Sequence, residues 1–225
     1  MTILSAMKTN VARDLRDTGK VTFDDTTLGD LIGAALVAIG RIAPAKFQQD
    51  IPVVANALTY QPLPTTFTTP TDQLEILGVE LWDFSQTPPM PEKRLAPASE
   101  AYVVYSETGW KLWGGILSIP RWVSIYVKGK EANYKLRIWG YRPYPAPASD
   151  SVDLGLTTEL EFALRAYCKL QALERLAASR ELFSQWQVRS NNTDMSPAAL
   201  LNALSLAQAD WGRLSRQIQV LREVP

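Results

Sequence analysis

The sequence contains no histidine and a single cysteine, Cys168. The first absence removes the commonest general base and the commonest metal ligand, and with them any Ser-His-Asp or Cys-His apparatus. The second excludes an intramolecular disulfide and every zinc-ligand spacing. Charge of one sign is not in surplus either, since 23 Lys and Arg balance 23 Asp and Glu. Sequence-independent nucleic-acid binders and anionic-membrane binders need an excess of cations, so neither class fits. No GxxxxGK[ST], GxSxG or GxGxxG motif occurs. The longest uncharged stretch, residues 51–71, holds Pro52, Pro62, Pro64 and Pro70 and cannot cross a bilayer as a helix. No basic and then apolar opening marks a signal peptide, so the chain is expected to be made and to fold in a cytoplasm. The reading is a non-enzyme with no cofactor and no metal.

Proline is scarce at both ends. Twelve of the 15 prolines lie between Pro52 and Pro147. Proline is expelled from helix interiors and central strands, so the ends are free to be helical and the middle should be strands and loops. This predicts an α+β fold: a discontinuous helical bundle from residues 1–50 and 151–225, with an inserted, Trp-rich antiparallel β-domain at 51–150.

The N-terminal piece reads as a helical hairpin. Leu4, Met7, Val11 and Leu15 fall at helical spacing, and Gly19 is the expected stop. Asp24 is placed to cap a second helix, with Phe23 and Leu28 as its staple. That helix carries Leu28, Ile32, Ala35, Ile39 and Ile42 and ends at Pro44. Gly29, Gly33 and Gly40 within it suggest close packing on a neighbour. At the C-terminal end, Thr158 and Glu161 read as a capping box for a helix running to about residue 188. Ser196-Pro197 then starts a last helix. Leu200, Leu204, Ala207, Trp211, Leu214, Ile218 and Leu221 give it an unbroken heptad seam. The seam packs on the other helices, or its far end reaches another chain.

Period-two alternation marks the middle. Residues 122–128 and 134–141 read as two strands joined by a hairpin loop at 129–133. Residues 75–83, 101–106 and 110–119 read as further strands, with a bulge or bend at Gly114-Gly115. Trp82, Trp110, Trp113, Trp122 and Trp139 either fill the core of this domain or anchor a partner.

Chemistry-bearing clusters are few. Asp24-Asp25 at a helix start suits capping and the helix dipole. Cys168 lies among Leu164, Tyr167 and Leu170 and reads as a small core residue. Charge carries one signal. Acidic residues, Glu80 and Asp83 among them, concentrate in 72–107, whereas Lys128, Lys130, Arg137 and other cations concentrate in 121–142. Cross-strand pairs neutralise them within one sheet, or they form an acidic and a basic flank that join subunits head-to-tail.

Residues 11–17 (Val-Ala-Arg-Asp-Leu-Arg-Asp), Phe23-Asp24-Asp25, Leu31-Ile32 and Ala34-Ala35-Leu36, closed by Pro44 and Phe47, resemble the opening of head-to-tail adaptor proteins of tailed bacteriophages. Leu63-Pro64, then residues 79–82 (Val-Glu-Leu-Trp), then residues 136–143 (Leu-Arg-Ile-Trp-Gly-Tyr-Arg-Pro) continue the likeness. The order of helical hairpin, β insertion and closing helices is similar to the tail-tube gatekeeper of short-tailed phages. The resemblance implies a structural virion protein at the neck, between portal and tail. It implies a homo-oligomeric ring, commonly of twelve copies, contacting the portal protein and a tail or nozzle protein. Double-stranded DNA would pass through without sequence-specific binding, and no membrane is involved. In that frame Arg213, Arg216 and Arg222 are candidate portal contacts. Phe84, Gln86, Pro88 and Pro89 in the proline-rich loop 84–91 are candidate tail-side contacts. Glu80, Asp83, Lys128, Lys130 and Arg137 are candidate subunit contacts. Two rival readings stand beside it: a monomeric binding module using the Trp-rich β-domain, and a carboxylate-only enzyme.

Overall fold

Helices occupy both ends of the chain and strands the middle, so the fold class is α+β. The computed structural model describes residues 2–60, 75–98, 109–113 and 116–223. In chain order these form α1 (Leu4–Asp14), α2 (Asp25–Ile42), β1 (Ala45–Pro52), β2 (Thr59–Tyr60), β3 (Glu75–Asp83), β4 (Met90–Leu95), β5 (Lys111–Trp113) and β6 (Ile116–Ser118). There follow α3 (Arg121–Tyr126), β7 (Tyr134–Arg142), α4 (Thr158–Ala178), α5 (Arg180–Arg189) and α6 (Pro197–Glu223). Two compact units result: Met1–Pro44 with Tyr144–Pro225, and Ala45–Pro143.

In the helical unit the predicted periodicities become the buried faces. Met7, Val11 and Leu15 of the first helical stretch and Leu28, Ile32, Ala35 and Ile39 of α2 are at most 3% exposed. They meet Leu164, Cys168 and Leu173 of α4 and Leu200, Ala207 and Ile218 of α6 in one cluster. Leu204, Trp211 and Leu214 of the heptad seam pack on it from the side, and Trp211 meets Tyr167 edge to face at 4.9 Å. α6 has 27 residues, which makes it about 40 Å long.

Several helix ends differ from expectation. α1 stops earlier than Gly19. Arg16, at φ 54°, takes the left-handed position, and the Arg16 and Asp17 N–H groups close onto the Arg13 and Ala12 carbonyls at 3.0 and 2.9 Å. This is a Schellman closure made without glycine. The first amides of α1 have no side-chain cap; Leu4 and Ser5 donate instead to the Val152 and Asp150 carbonyls, at 3.1 and 3.0 Å. Asp24 does cap α2, accepting from the Thr27 N–H at 2.7 Å. That bond holds the Asp24 carboxyl below its ordinary pKa. The cap of α4 is Thr157, one residue before the expected Thr158, and accepts from Leu160. The single helix expected to about residue 188 is two, because the backbone at Ser179 is extended and its hydroxyl caps α5 at Leu182. Of the α2 glycines, Gly33 marks no close contact, since a Cβ there would meet nothing within 4 Å, whereas one on Gly29 would meet the Lys8 side chain of α1 at 3.6 Å.

The β unit contains an antiparallel four-stranded sheet ordered β1-β7-β3-β4, and a small sheet ordered β2-β6-β5. β3 and β7 lie where alternation predicted them. Leu136 and Ile138 of β7 and Val79 and Leu81 of β3 are buried together with Ile51, Leu117, Val123 and Val127. The stretch 110–119 is a hairpin rather than one strand, with Trp113 opposite Ile116. Gly114-Gly115 and the strand expected at 101–106 lie outside the described residues. Residues 122–128 are not a strand. After Pro120 they form α3 and its C-cap Val127; Val123 and Val127, four apart, are fully buried while Ile125 is 65% exposed. A seven-residue run satisfies both periods, and docking of the i, i+4 pair selected the helix. The segment 129–133 therefore joins a helix to a strand, through Gly129 at φ +78° and a single 3-10 turn, Glu131–Asn133. The described tryptophans of this unit divide between core and margin: Trp110 belongs to the buried cluster and Trp122 packs against it. Of those whose side chains are described, only Trp110 is buried; Trp82, Trp122 and Trp139 are half-buried at its margins.

Candidate functional site

Two surfaces stand out, one in each unit. The first is a groove of about 420 Å³ in the helical unit, lined by Asp14 at the end of α1, by Phe162, Arg165, Ala166 and Lys169 of α4, and by Asp210, Arg213 and Leu214 of α6. Residues 162, 165, 166 and 169 share one face of α4 because they are three, four and seven apart. Arg165 grips Asp14 with two bonds of 2.7 Å. This pairing holds the Arg165 guanidinium even further above neutrality than usual. Asp210 and Arg213 approach at 3.8 Å, and Arg213 also donates to Gln217 at 3.4 Å. Both carboxylates that face the groove are thus matched to arginines, an arrangement for holding shape rather than for moving protons. Arg213, expected from sequence to meet a partner, is brought into this groove. Arg216 is exposed on the same helix but does not line it, and the Arg222 side chain lies outside the described ones.

The second surface is the outer face of the four-stranded sheet. Lys135, Arg137 and Trp139 of β7 point away from the buried Leu136 and Ile138, as the alternation requires. Register places Glu80 and Asp50 on either side of Arg137. Asp50 takes the guanidinium in a fork at 2.8 and 2.9 Å. Above it, the Arg137 guanidinium carbon lies 3.6 Å from the Trp82 ring centre and 5.8 Å from that of Phe84. Lys135 sits 4.3 Å from the Phe84 ring centre, and Arg94 of β4 sits 5.4 Å from that of Trp139. Gly78 makes room for this layer, since a Cβ there would stand 2.5 Å from the Trp139 ring. The face is a ladder of cations and aromatic rings, each desolvating the next.

This geometry places the remaining expected site residues. Glu80 and Arg137 were candidates for opposite subunit flanks. They are register partners in one sheet, so the pairing of β3 with β7 brings part of the acidic stretch beside part of the basic one. Asp83 is buried at the end of β3. Bonds from Ser85 hold its carboxyl below the ordinary range, with Lys130 adding to the effect. Lys128 and Lys130 are exposed after α3. On the β3–β4 connection Gln86 and Pro88 are exposed, Pro89 is partly so, and Phe84 is covered by its cations.

One site was invisible in the sequence. Asp17, 1% exposed, accepts from the Val21, Thr22 and Phe23 N–H groups at 3.1, 3.0 and 2.8 Å and from the Ser190 hydroxyl at 2.8 Å. Buried Asn192 donates to the Arg16 carbonyl at 3.2 Å, and the Trp186 indole to that of Leu15 at 3.1 Å. This clasp ties the α1–α2 turn to the loop after α5. Only the positions of polar residues in two distant loops hinted at it.

Among the described residues no group of three or more His, Cys, Asp or Glu is placed to hold a metal, and no helix is long and apolar enough to cross a membrane. Cys168 is buried, and burial pushes its thiol up, away from thiolate chemistry. No protein-family model matches the chain, and no curated protein matches it in sequence.

Proposed function

We propose that this chain is a structural subunit of the head–tail junction of a tailed bacteriophage, forming a ring between portal and tail. The ring would carry DNA in packaging and ejection and give the tail its platform. The observation that carries this reading is architectural. A helical hairpin at one end of the chain and three helices at the other share a single core, with an antiparallel sheet inserted between them. That is the element order on which the resemblance to phage adaptors rests. The polar surfaces support the same reading, because their charges are spent on ion pairs and ring contacts that stiffen the faces presented to partners.

In this frame Arg216 on α6 remains a portal contact, and Gln86, Pro88 and Pro89, on an exposed connection, remain tail-side contacts. The test is imaging of purified portal mixed with the chain, together with antibody labelling of virions. A ring of the chain on the portal and label confined to the neck are expected. Label elsewhere on the virion, or turnover of a substrate by the pure protein, would overturn the reading. Deleting residues 86–89 should abolish tail attachment while leaving portal binding intact.

A further inference from the structure

α2 and α4 share the core of the helical unit through Leu28, Ile32, Ala163 and Leu164, yet each presents a second face that is open. On α2, Asp30, Val37 and Arg41 are exposed, Val37 at 53%, and a Cβ added at Gly33 would meet nothing within 4 Å. On α4, Glu159, Phe162 and Lys169 are exposed, Phe162 at 54%, with Ala166 half-buried among them. Phe162, Ala166 and Lys169 form the α4 wall of the groove described above. Among the described residues Lys169 makes no ion pair, and neither do Asp30 and Arg41.

The two faces match in register. Read forward along α2, Asp30, Gly33, Val37 and Arg41 lie three, seven and eleven residues apart from the first. Read backward along α4, Lys169, Ala166 and Phe162 lie three and seven apart, with Glu159 at ten. Two antiparallel helices set with residue 30 opposite 169 would place an acid on a base at one end and an arginine beside a glutamate at the other. Glycine would face alanine where the axes come closest, and valine would meet phenylalanine. Small residues at the crossing allow the axes to approach to about 8 Å, the close end of helix packing. Because α2 and α4 of one chain already pack through their inner faces, the outer faces can meet only between copies.

We infer that the outer face of α2 in one copy seats in the α1–α4–α6 groove of the next, antiparallel to α4. The two surfaces differ, so the contact is head-to-tail and propagates into a ring where the rotation closes. The inference deepens the ring reading of the preceding subsection and rests on it for the ring's place in a virion. Charge complementarity at both ends of the register is what selects a second copy as occupant. Asp210 and Arg213 form the opposite wall, so Arg213 faces a neighbouring subunit rather than the portal.

The experiment is a disulfide trap with Gly33→Cys and Ala166→Cys in one chain, oxidised at millimolar concentration. Cys168 is buried and stays silent. A ladder of covalent dimers, trimers and larger species on a non-reducing gel is expected, with each single-cysteine variant giving none. Mixing the two single variants should give dimers only. Lys169→Asp should remove the ladder, and Asp30→Lys added to it should restore it, which separates a lost contact from a lost fold. Absence of the ladder, failure of the charge exchange to restore it, or protection of the Ala166→Cys thiol by portal alone would each overturn the inference. Rings on portal from a Gly33→Cys, Ala166→Cys chain that gives no ladder would sink this contact and leave the neck reading standing. A ladder without label at the neck would do the reverse.

Discussion

The helical unit and the β unit are held by different physics. Among the described residues the first gathers 25 buried apolar residues into one cluster, the second 13. Burial of each large aliphatic side chain contributes roughly 1.5–3 kcal/mol, so the helical unit has the deeper reserve. The buried polar network around Asp17 has its partners and closes loops. The β unit compensates at its surface. Its tryptophans and cations form a half-buried layer over the sheet, where attraction is neither screened as in water nor penalised as in a dry core. The lesson is that two units of one chain can differ in what denatures them. The helical unit should answer to cavities and unsatisfied amides, the β unit to salt and to steric intrusion between strands.

The sharpest way to break that comparison is Asp17→Ala. It leaves three amides, one of them buried, without their acceptor, and a loss of about 4 kcal/mol is expected in urea unfolding. A loss below about 1 kcal/mol would mean that the clasp is decorative. Next is Gly140→Ala in the β unit. Its Cβ would lie 2.0 Å from the Glu75 carbonyl oxygen, so β3 and β7 must part. Overpacking of this kind costs about 3 kcal/mol, and the loss should appear in far-ultraviolet spectra as weakened sheet with the helical signal kept. A smaller effect is expected from Arg137→Met, which keeps the stem but loses the fork to Asp50 and the charge over Trp82. Roughly 1–2 kcal/mol is expected, and the wild-type advantage should shrink as salt rises. If it does not, the ladder is held by packing and the contrast between the units fails.

The smallest effect is a titration. Tyr126 donates to Glu92, and that bond pushes its phenol up to about 12 from 10.0. A raised acid keeps its proton in the folded state. Its contribution is therefore complete below about pH 10 and is lost as pH climbs through about 12. Burial raises Tyr60 and Tyr144 as well, so phenolate absorbance should show several late tyrosines, and Glu92→Gln should move Tyr126 alone to lower pH.

Long, regular elements were legible and short ones were not. α1, α2 and α6 repeat their apolar residues over several turns, so no competing period fits them. β7 alternates along its length, and β3 does so from Val79 to Asp83, after the register shift at Ile76–Gly78. α3 has six residues and fits either pattern. β4 is exposed throughout except Leu95, and so carries no alternation to read. The groove was half legible: Arg213 was singled out, but Phe162, Lys169 and Asp14 gain meaning only when three helices are side by side.

The sequence by itself determined the order of the parts, because proline placement and apolar period are local and need no partner. It also determined the chemistry that is missing, since a residue type that does not occur cannot be supplied by folding. What the tertiary structure decided was pairing. Parts of an acidic and a basic stretch became register partners in one sheet, Asp17 became a buried hub, and Trp110 joined the core of the β unit while Trp82 and Trp139 took half-buried places on its sheet. Each of these depends on residues dozens of positions apart, and only a closed fold sets which of many such encounters is kept.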